Sequence, residues 1–235
     1  MPTFKHSGDL GDIVYALPTM RALGGGVLML DPEGGESDPL VVAGTKNRTH
    51  LTRERIDVIR SLLLAQDYVD DVVYWNGEKP DFNLDRFRAH LVNRNLADAH
   101  LAAFGLPTGE RDRPWISAAD PIKIPGRDTV IARSVRQQGN FNFWERTMPQ
   151  IVDRCVYVGL PKEHEIFEYT FEMKVEYRPT ADLLELARVI AGGEQFIGNS
   201  SLPHSLAEAM KKPLILEVNR VYCPVLFERP GAHYV

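Results

Sequence analysis

Four short segments of this 235-residue chain combine residue types and spacings that could do chemistry. The first is His6-Ser7-Gly8-Asp9-Leu10-Gly11-Asp12. An extended segment that runs through glycines into a helix turns free backbone N–H groups outward, toward an anion or a substrate hydroxyl. Gly8 and Gly11 let the backbone turn or approach a ligand closely. Asp12 stands where an N-cap belongs, and a carboxylate there can also act as a general base. Simple capping and turning accounts for the same residues. The segment is not GxGxxG and lacks a P-loop lysine, which argues against NAD and ATP. The second segment is Phe196-Ile197-Gly198-Asn199-Ser200-Ser201-Leu202-Pro203-His204. Ser200 or Ser201 can cap, Pro203 suits a first turn, and the positive helix end suits a diphosphate. His204 would add a donor to a phosphate, or be a half-buried, satisfied histidine.

The third segment is Val158-Gly159-Leu160-Pro161-Lys162-Glu163-His164-Glu165. A carboxylate here could accept hydrogen bonds from ribose hydroxyls. It could equally be an N-terminal acid that complements the helix dipole. The fourth is Arg133-Ser134-Val135-Arg136. Arginines at the carboxyl end of a strand are well placed for phosphate, or form a solvated surface pair.

The elements that must hold these segments alternate. Strands are expected at 3–7, 27–30, 69–75, 129–134, 155–159, 173–177, 195–199 and 213–218. Helices are expected after Asp12 and at 53–65, 84–104, 143–151, 161–169, 180–193 and 201–212. Residues 31–50, rich in Gly, Pro, Asp and Ser, read as a loop. The stretch 106–128 holds Pro107, Pro114, Pro121 and Pro125 and is the linker candidate. This alternation predicts an α/β protein with two parallel sheets covered by helices and facing each other. The division falls at residues 1–125 and 126–235. All four segments then lie at carboxyl ends of strands, where open α/β sheets bind ligands.

Composition narrows the class. Hydrophobic residues are 44% and charged residues 25%, which is globular rather than disordered. The net charge of −5 gives no sign of general nucleic-acid binding. No run reaches the ~18 apolar residues of a membrane span. The opening MPTFKHSGD has no signal-peptide character, so a cytoplasmic protein is expected. Cys155 and Cys223 are the two cysteines, too few for a disulfide framework or a zinc knuckle. Asp70-Asp71 sits in an apolar strand context and reads as part of the strand rather than as a metal site.

SGDLGDIVYALPTMRAL resembles the opening loop and helix of the heptosyltransferase-like glycosyltransferases, glycosyltransferase family 9. FIGNSSLPHSLAEAMKKPLI resembles their C-terminal nucleotide-binding segment, and VYVGLPKEHEIF their glycine-then-acid segment. Order and spacing match over nearly the whole chain. The resemblance implies a GT-B fold of two Rossmann-like domains with the active site in the cleft. It implies inverting transfer from a nucleotide-sugar, without a required metal or other cofactor. It makes Asp12 the base and places the donor diphosphate on Ser200, Ser201, Leu202 and His204, with Asn199 also on the donor side. Gly11, Gly159 and either Glu163 or Glu165 join the donor side, the acid meeting the ribose, and His6 and Asp9 the acceptor side. The family's heptosyltransferases usually carry Asp-Thr-Gly where this chain has Asn199-Ser200-Ser201, and a Lys near the Trp where it has Gln137 to Trp144 without one.

In the mechanism so implied, Asp12 takes the proton of the acceptor hydroxyl as that oxygen attacks the anomeric carbon. The start of the 201–212 helix, His204 and Arg133 or Arg136 meet the charge of the departing nucleoside diphosphate. Two rivals share the architecture. One is a nucleotide-sugar epimerase or hydrolase, which needs no acceptor. The other is a non-catalytic nucleotide-sugar-binding module. The acceptor stays open among a glycan, a lipid-linked sugar and nucleic acid. Arg48, Arg53, Arg55, Arg60, Arg86, Arg88 and Arg94 could suit an acidic one, or be solvated faces balanced by Glu54, Asp57 and Asp85.

Overall fold

A computed structural model of the chain describes residues 1–32, 51–219 and 224–235. Arg48, Cys223 and nearly all of the 31–50 loop lie outside the described residues. The chain divides into two compact units, Met1–Ser117 and Ala118–Val235. Residues 118–125, assigned to the first unit from the sequence, pack with the second. Ile122 N–H donates to the Arg188 carbonyl, and Arg188 Nε donates back to the carbonyls of Ala119 and Asp120.

The first unit runs β1 (Thr3–His6), α1 (Leu10–Ala22), β2 (Gly26–Leu30), α2 (Arg53–Leu64), β3 (Val69–Tyr74), β4 (Phe82–Asn83), a 3-10 helix (Leu84–His90) and α3 (Leu96–Ala102). Its strands form a parallel sheet in the order β3-β2-β1-β4. The helix expected over 84–104 is therefore two pieces. Asparagines divide it: Asn93 takes a left-handed φ of 56°, and the Asn95 side chain caps α3 by accepting from Asp98 N–H. Asn tolerates that backbone and competes for N–H groups, which helix interiors do not favour.

Helix α1 is buried from Ile13 to Met20 and contains Pro18. Proline has no N–H, so the Val14 carbonyl one turn earlier loses its helical partner. Trp115 replaces it: its indole Nε1 donates to Val14 O at 3.0 Å from a fully buried ring. Trp115→Phe keeps most of the packing and orphans that carbonyl. It should destabilise the first unit by ~1–3 kcal/mol in urea melts. An unchanged midpoint would show that Val14 needs no donor.

The second unit runs β5 (Thr129–Ala132), α4 (Phe141–Ile151), β6 (Cys155–Tyr157), α5 (Pro161–Phe171), β7 (Glu176–Tyr177), α6 (Leu183–Gly192), β8 (Gln195–Asn199), α7 (Leu202–Ala209), β9 (Leu214–Glu217) and β10 (Ala232–Tyr234). The parallel sheet has the order β10-β9-β8-β5-β6-β7. One face packs Ile131, Tyr157 and Ile197 against Trp144, Met148, Phe167 and Phe171 of α4 and α5. Cys155 joins that core, and burial pushes its thiol up to about 12, so it is inert. Strands β4 and β10, two and three residues long, are not among the strands expected from the sequence. Among the described residues no helix is long and apolar enough to cross a membrane.

Candidate functional site

Strand order fixes where each sheet can bind a ligand. Numbered from its own first strand, the second sheet reads 3-2-1-4-5-6, and the first reads 3-2-1-4. In such sheets successive connections turn to opposite sides at the first strand. That leaves a crevice beyond the carboxyl ends of the two strands where the order reverses. The reversal falls between β1 and β4 in the first unit and between β5 and β8 in the second. His6–Asp12 follows β1, Arg133–Asn140 follows β5, and Ser200–His204 follows β8.

In the first unit, Asp9 rather than Asp12 is the N-cap, with extended backbone and no side-chain capping bond. Asp12 is the third residue of α1, after Gly11, and is half-buried. Its carboxylate folds back over Gly8. A Cβ on Gly8 would lie 2.9 Å from Asp12 Oδ2 and 2.6 Å from His6 Cε1, so only glycine fits between them. Gly8 N–H donates to His6 Nδ1 at 2.9 Å, which leaves the neutral ring's proton on Nε2. His6 is fully buried, stacks on Phe87 and lies tilted against His100, and burial lowers its pKa to about 4. His6 therefore backs the loop as a neutral ring. Half-exposed Asp9 faces Arg55 at 3.8 Å.

The loop is held from the β4 side. Asp85, in the first turn after β4, accepts from Ser7 N–H, Ser7 Oγ, Lys5 Nζ and Arg88 Nη1 at 2.6–3.0 Å. Burial opposes its ionisation, but the His6 ring, Arg88 and Lys5 outweigh that and hold the carboxyl well below the usual range. The sequence offered Asp85 as one member of a solvated charge balance. It is instead fully buried, and its pairing with Arg88 is part of the loop's support.

In the second unit Asn199 and Glu217 hold the loop after β5. Asn199 Oδ1 accepts from Ser134 N–H at 2.9 Å, and its Nδ2 donates to the carbonyls of Ser134 and Arg136. An aspartate could not make those two donations, so the amide suits this chain's own loop. Glu217 accepts from Arg133 Nε and Nη2, Trp144 Nε1 and the backbone N–H groups of Gly139 and Asn140, all at 2.8–3.0 Å. Burial opposes its charge, and these donors, Arg133 first, keep the carboxyl low. Arg133 is thereby committed to Glu217, and of the two sequence candidates Arg136 is the exposed one.

Beyond β8, Ser201 is the N-cap of α7 but turns its Oγ to the Asn199 carbonyl, so α7 starts without a side-chain cap. Ser200, Ser201 and Leu202 are half-buried there. His204 is almost fully buried, and burial, with Arg229 nearby, lowers its pKa to about 3. His204 therefore stands as a neutral ring, and any donor it offers a phosphate is an uncharged N–H. In the third segment Glu163 caps α5 through Leu160 N–H, and exposed Glu165 pairs with Lys162. The Gly159 carbonyl accepts from Tyr177 OH. Both acids thus have local partners beyond β6, beside the β5 loop. Asp85 and Glu217, the two carboxylates that fix the loops, were missed. The available signal was an acid closing the apolar run of β9.

No family model and no curated protein sequence matches the chain. Solved structures do. A crystal structure of a glycosyltransferase family 9 protein from Veillonella parvula DSM 2008 matches with TM-score 0.62 at 11% identity, over 99% of this chain and 84% of that one. The E. coli heptosyltransferase WaaC with ADP gives 0.57 at 12%, over 99% and 89%. The iron-containing dodecameric glycosyltransferase TibC of enterotoxigenic E. coli H10407 gives 0.57 at 13%, over 98% and 61%. At these identities the likeness establishes the fold, two Rossmann-like α/β units of the GT-B kind.

Proposed function

We propose that this protein is a glycosyltransferase that moves a sugar from a nucleotide-sugar donor to an acceptor hydroxyl, with inversion and without a required metal. The observation that carries the reading is Asp12. Its carboxylate stands in the first turn of α1, beyond the carboxyl end of β1 at the order reversal, on a loop fixed by Asp85. A carboxylate held there can accept the acceptor's hydroxyl proton while that oxygen attacks the anomeric carbon from the face opposite the leaving group. The nucleoside diphosphate leaves with the electron pair of the broken bond. Its charge would be met by the uncapped start of α7 and by exposed Arg136. Among the structural neighbours WaaC holds ADP and TibC holds ADP-D-β-D-heptose, which makes ADP the first nucleotide to try here.

Thermal shifts with UDP, GDP, ADP, CDP and dTDP, with magnesium and with EDTA, test the donor side. One nucleotide at 100 times its Kd should stabilise the protein by ~2.7 kcal/mol, and equally in EDTA. No shift with any of the five would remove the donor-site reading.

A further inference from the structure

We infer that Glu217 is a positioning residue for the donor, holding the loop between β5 and α4 in the shape that presents Arg136 and its neighbours at the order reversal of the second sheet. The inference rests on the donor-site reading above. Glu217 ends β9, which pairs with β8, which pairs with β5. It reaches across the end of β8 and joins the loop's first residue, Arg133, to its far end. Oε1 accepts from Arg133 Nη2 and from the N–H groups of Gly139 and Asn140, and Oε2 from Arg133 Nε and Trp144 Nε1. Asn199 holds the near end. Between the two, residues 135–138 are exposed, and Gln137 takes a left-handed φ of 58°. Gln138 Nε2 donates back to the Ser134 carbonyl, so the backbone is braced along the loop while the Arg136 side chain stays exposed to meet a ligand.

Gly139 shows how closely this support fits. A Cβ there would stand 2.1 Å from the Val218 carbonyl oxygen, so the loop lies directly on the chain that leaves β9. A carboxylate with no exposed surface is costly to bury unless fully hydrogen-bonded. An apolar side chain would close this apolar strand without that penalty. What only the carboxylate achieves is to order two backbone N–H groups, an indole and a guanidinium around one point. It also neutralises Arg133, which leaves the charge offered by the loop to Arg136. Ligand-contacting groups need such a supporting shell to hold their geometry.

The test is Glu217→Gln in the full chain, read by the affinity for whichever of the five nucleoside diphosphates the wild type binds. It is measured at a temperature where both proteins are folded. A loosened loop should raise Kd at least ~10-fold. Amide exchange at Gly139 and Asn140, whose N–H groups bond to Glu217, should be faster in the variant than in the wild type. If the single variant does not fold, Glu217→Gln with Arg133→Gln leaves no unpaired charge and is measured in its place. A folded variant with wild-type affinity overturns the role of Glu217 and leaves the donor site standing. A wild type that binds none of the five nucleotides overturns the donor-site reading itself.

Discussion

Asp12→Asn is expected to reduce sugar transfer by ~10²–10⁴-fold, the range typical of a lost general base. The amide has the carboxylate's shape, so it fits over Gly8 beside the His6 ring, but it cannot take the acceptor's proton. Affinity for the donor nucleotide should stay within about twofold, because the groups assigned to the diphosphate lie in the second unit. Stability should fall by no more than ~1 kcal/mol, the worth of one acid in the first turn of a helix. The measurement is acceptor-dependent release of the nucleoside diphosphate, with binding followed separately by calorimetry. Full activity in Asp12→Asn would remove Asp12 from the mechanism. Equal release with and without acceptor would favour an epimerase or hydrolase. A wild type that binds the nucleotide-sugar and never turns it over would favour the binding module.

The His6–Asp12 segment was legible in the sequence as a strand-to-helix turn for a physical reason, although the cap is Asp9 and Asp12 lies in the first turn of the helix. Strand, small-residue turn and helix start are contiguous, so local chemistry alone puts the loop at a strand's carboxyl end. The same holds for Ser200 and Ser201 before α7. Non-local facts were hidden. Asp85 reads as surface charge until β4 is known to pair with β1, which brings it onto Ser7 and Lys5. Glu217 reads as the end of a strand until β9 and β8 are placed beside β5. Arg133 and Arg136 have the same formal charge three positions apart. Only the partner across the sheet tells the neutralised one from the exposed one.

The two units solve the same problem in the same way. Each fixes its first βα loop with a buried carboxylate contributed from elsewhere in its sheet, Asp85 after β4 and Glu217 at the end of β9. Each carboxylate takes two hydrogen bonds or more from the loop it fixes and is balanced by an arginine of its own unit. Loops left to solvent would sample many conformations, and ordering them on binding would weaken affinity. Loops ordered in advance carry that penalty in the folding free energy instead.

Folding on neutral buried histidines should make the protein lose stability as pH falls from 6.5 to 4. His6 has its pKa lowered to about 4 and His204 to about 3 by burial, each fully enclosed in its own unit. An unfolded chain titrates histidine near 6.5. Between that value and the folded pKa, the unfolded state binds a proton that the folded state refuses, so stability falls as pH falls. Above 6.5 neither state is protonated and the full stability is present. At pH 5 the loss comes to about 2 kcal/mol for each of the two residues. His100, held well below its ordinary value by burial, adds to the loss in the first unit. Asp85 contributes nothing in this window. Its folded pKa is depressed, so its stabilisation fades only below the ordinary carboxylate range. Urea melts at pH 7.5 and pH 5 measure the difference directly. Replacing His204 by Leu should flatten the profile of the second unit while lowering its stability at pH 7.5. A wild-type midpoint independent of pH between 7.5 and 5 would mean that these rings reach water and accept protons without unfolding.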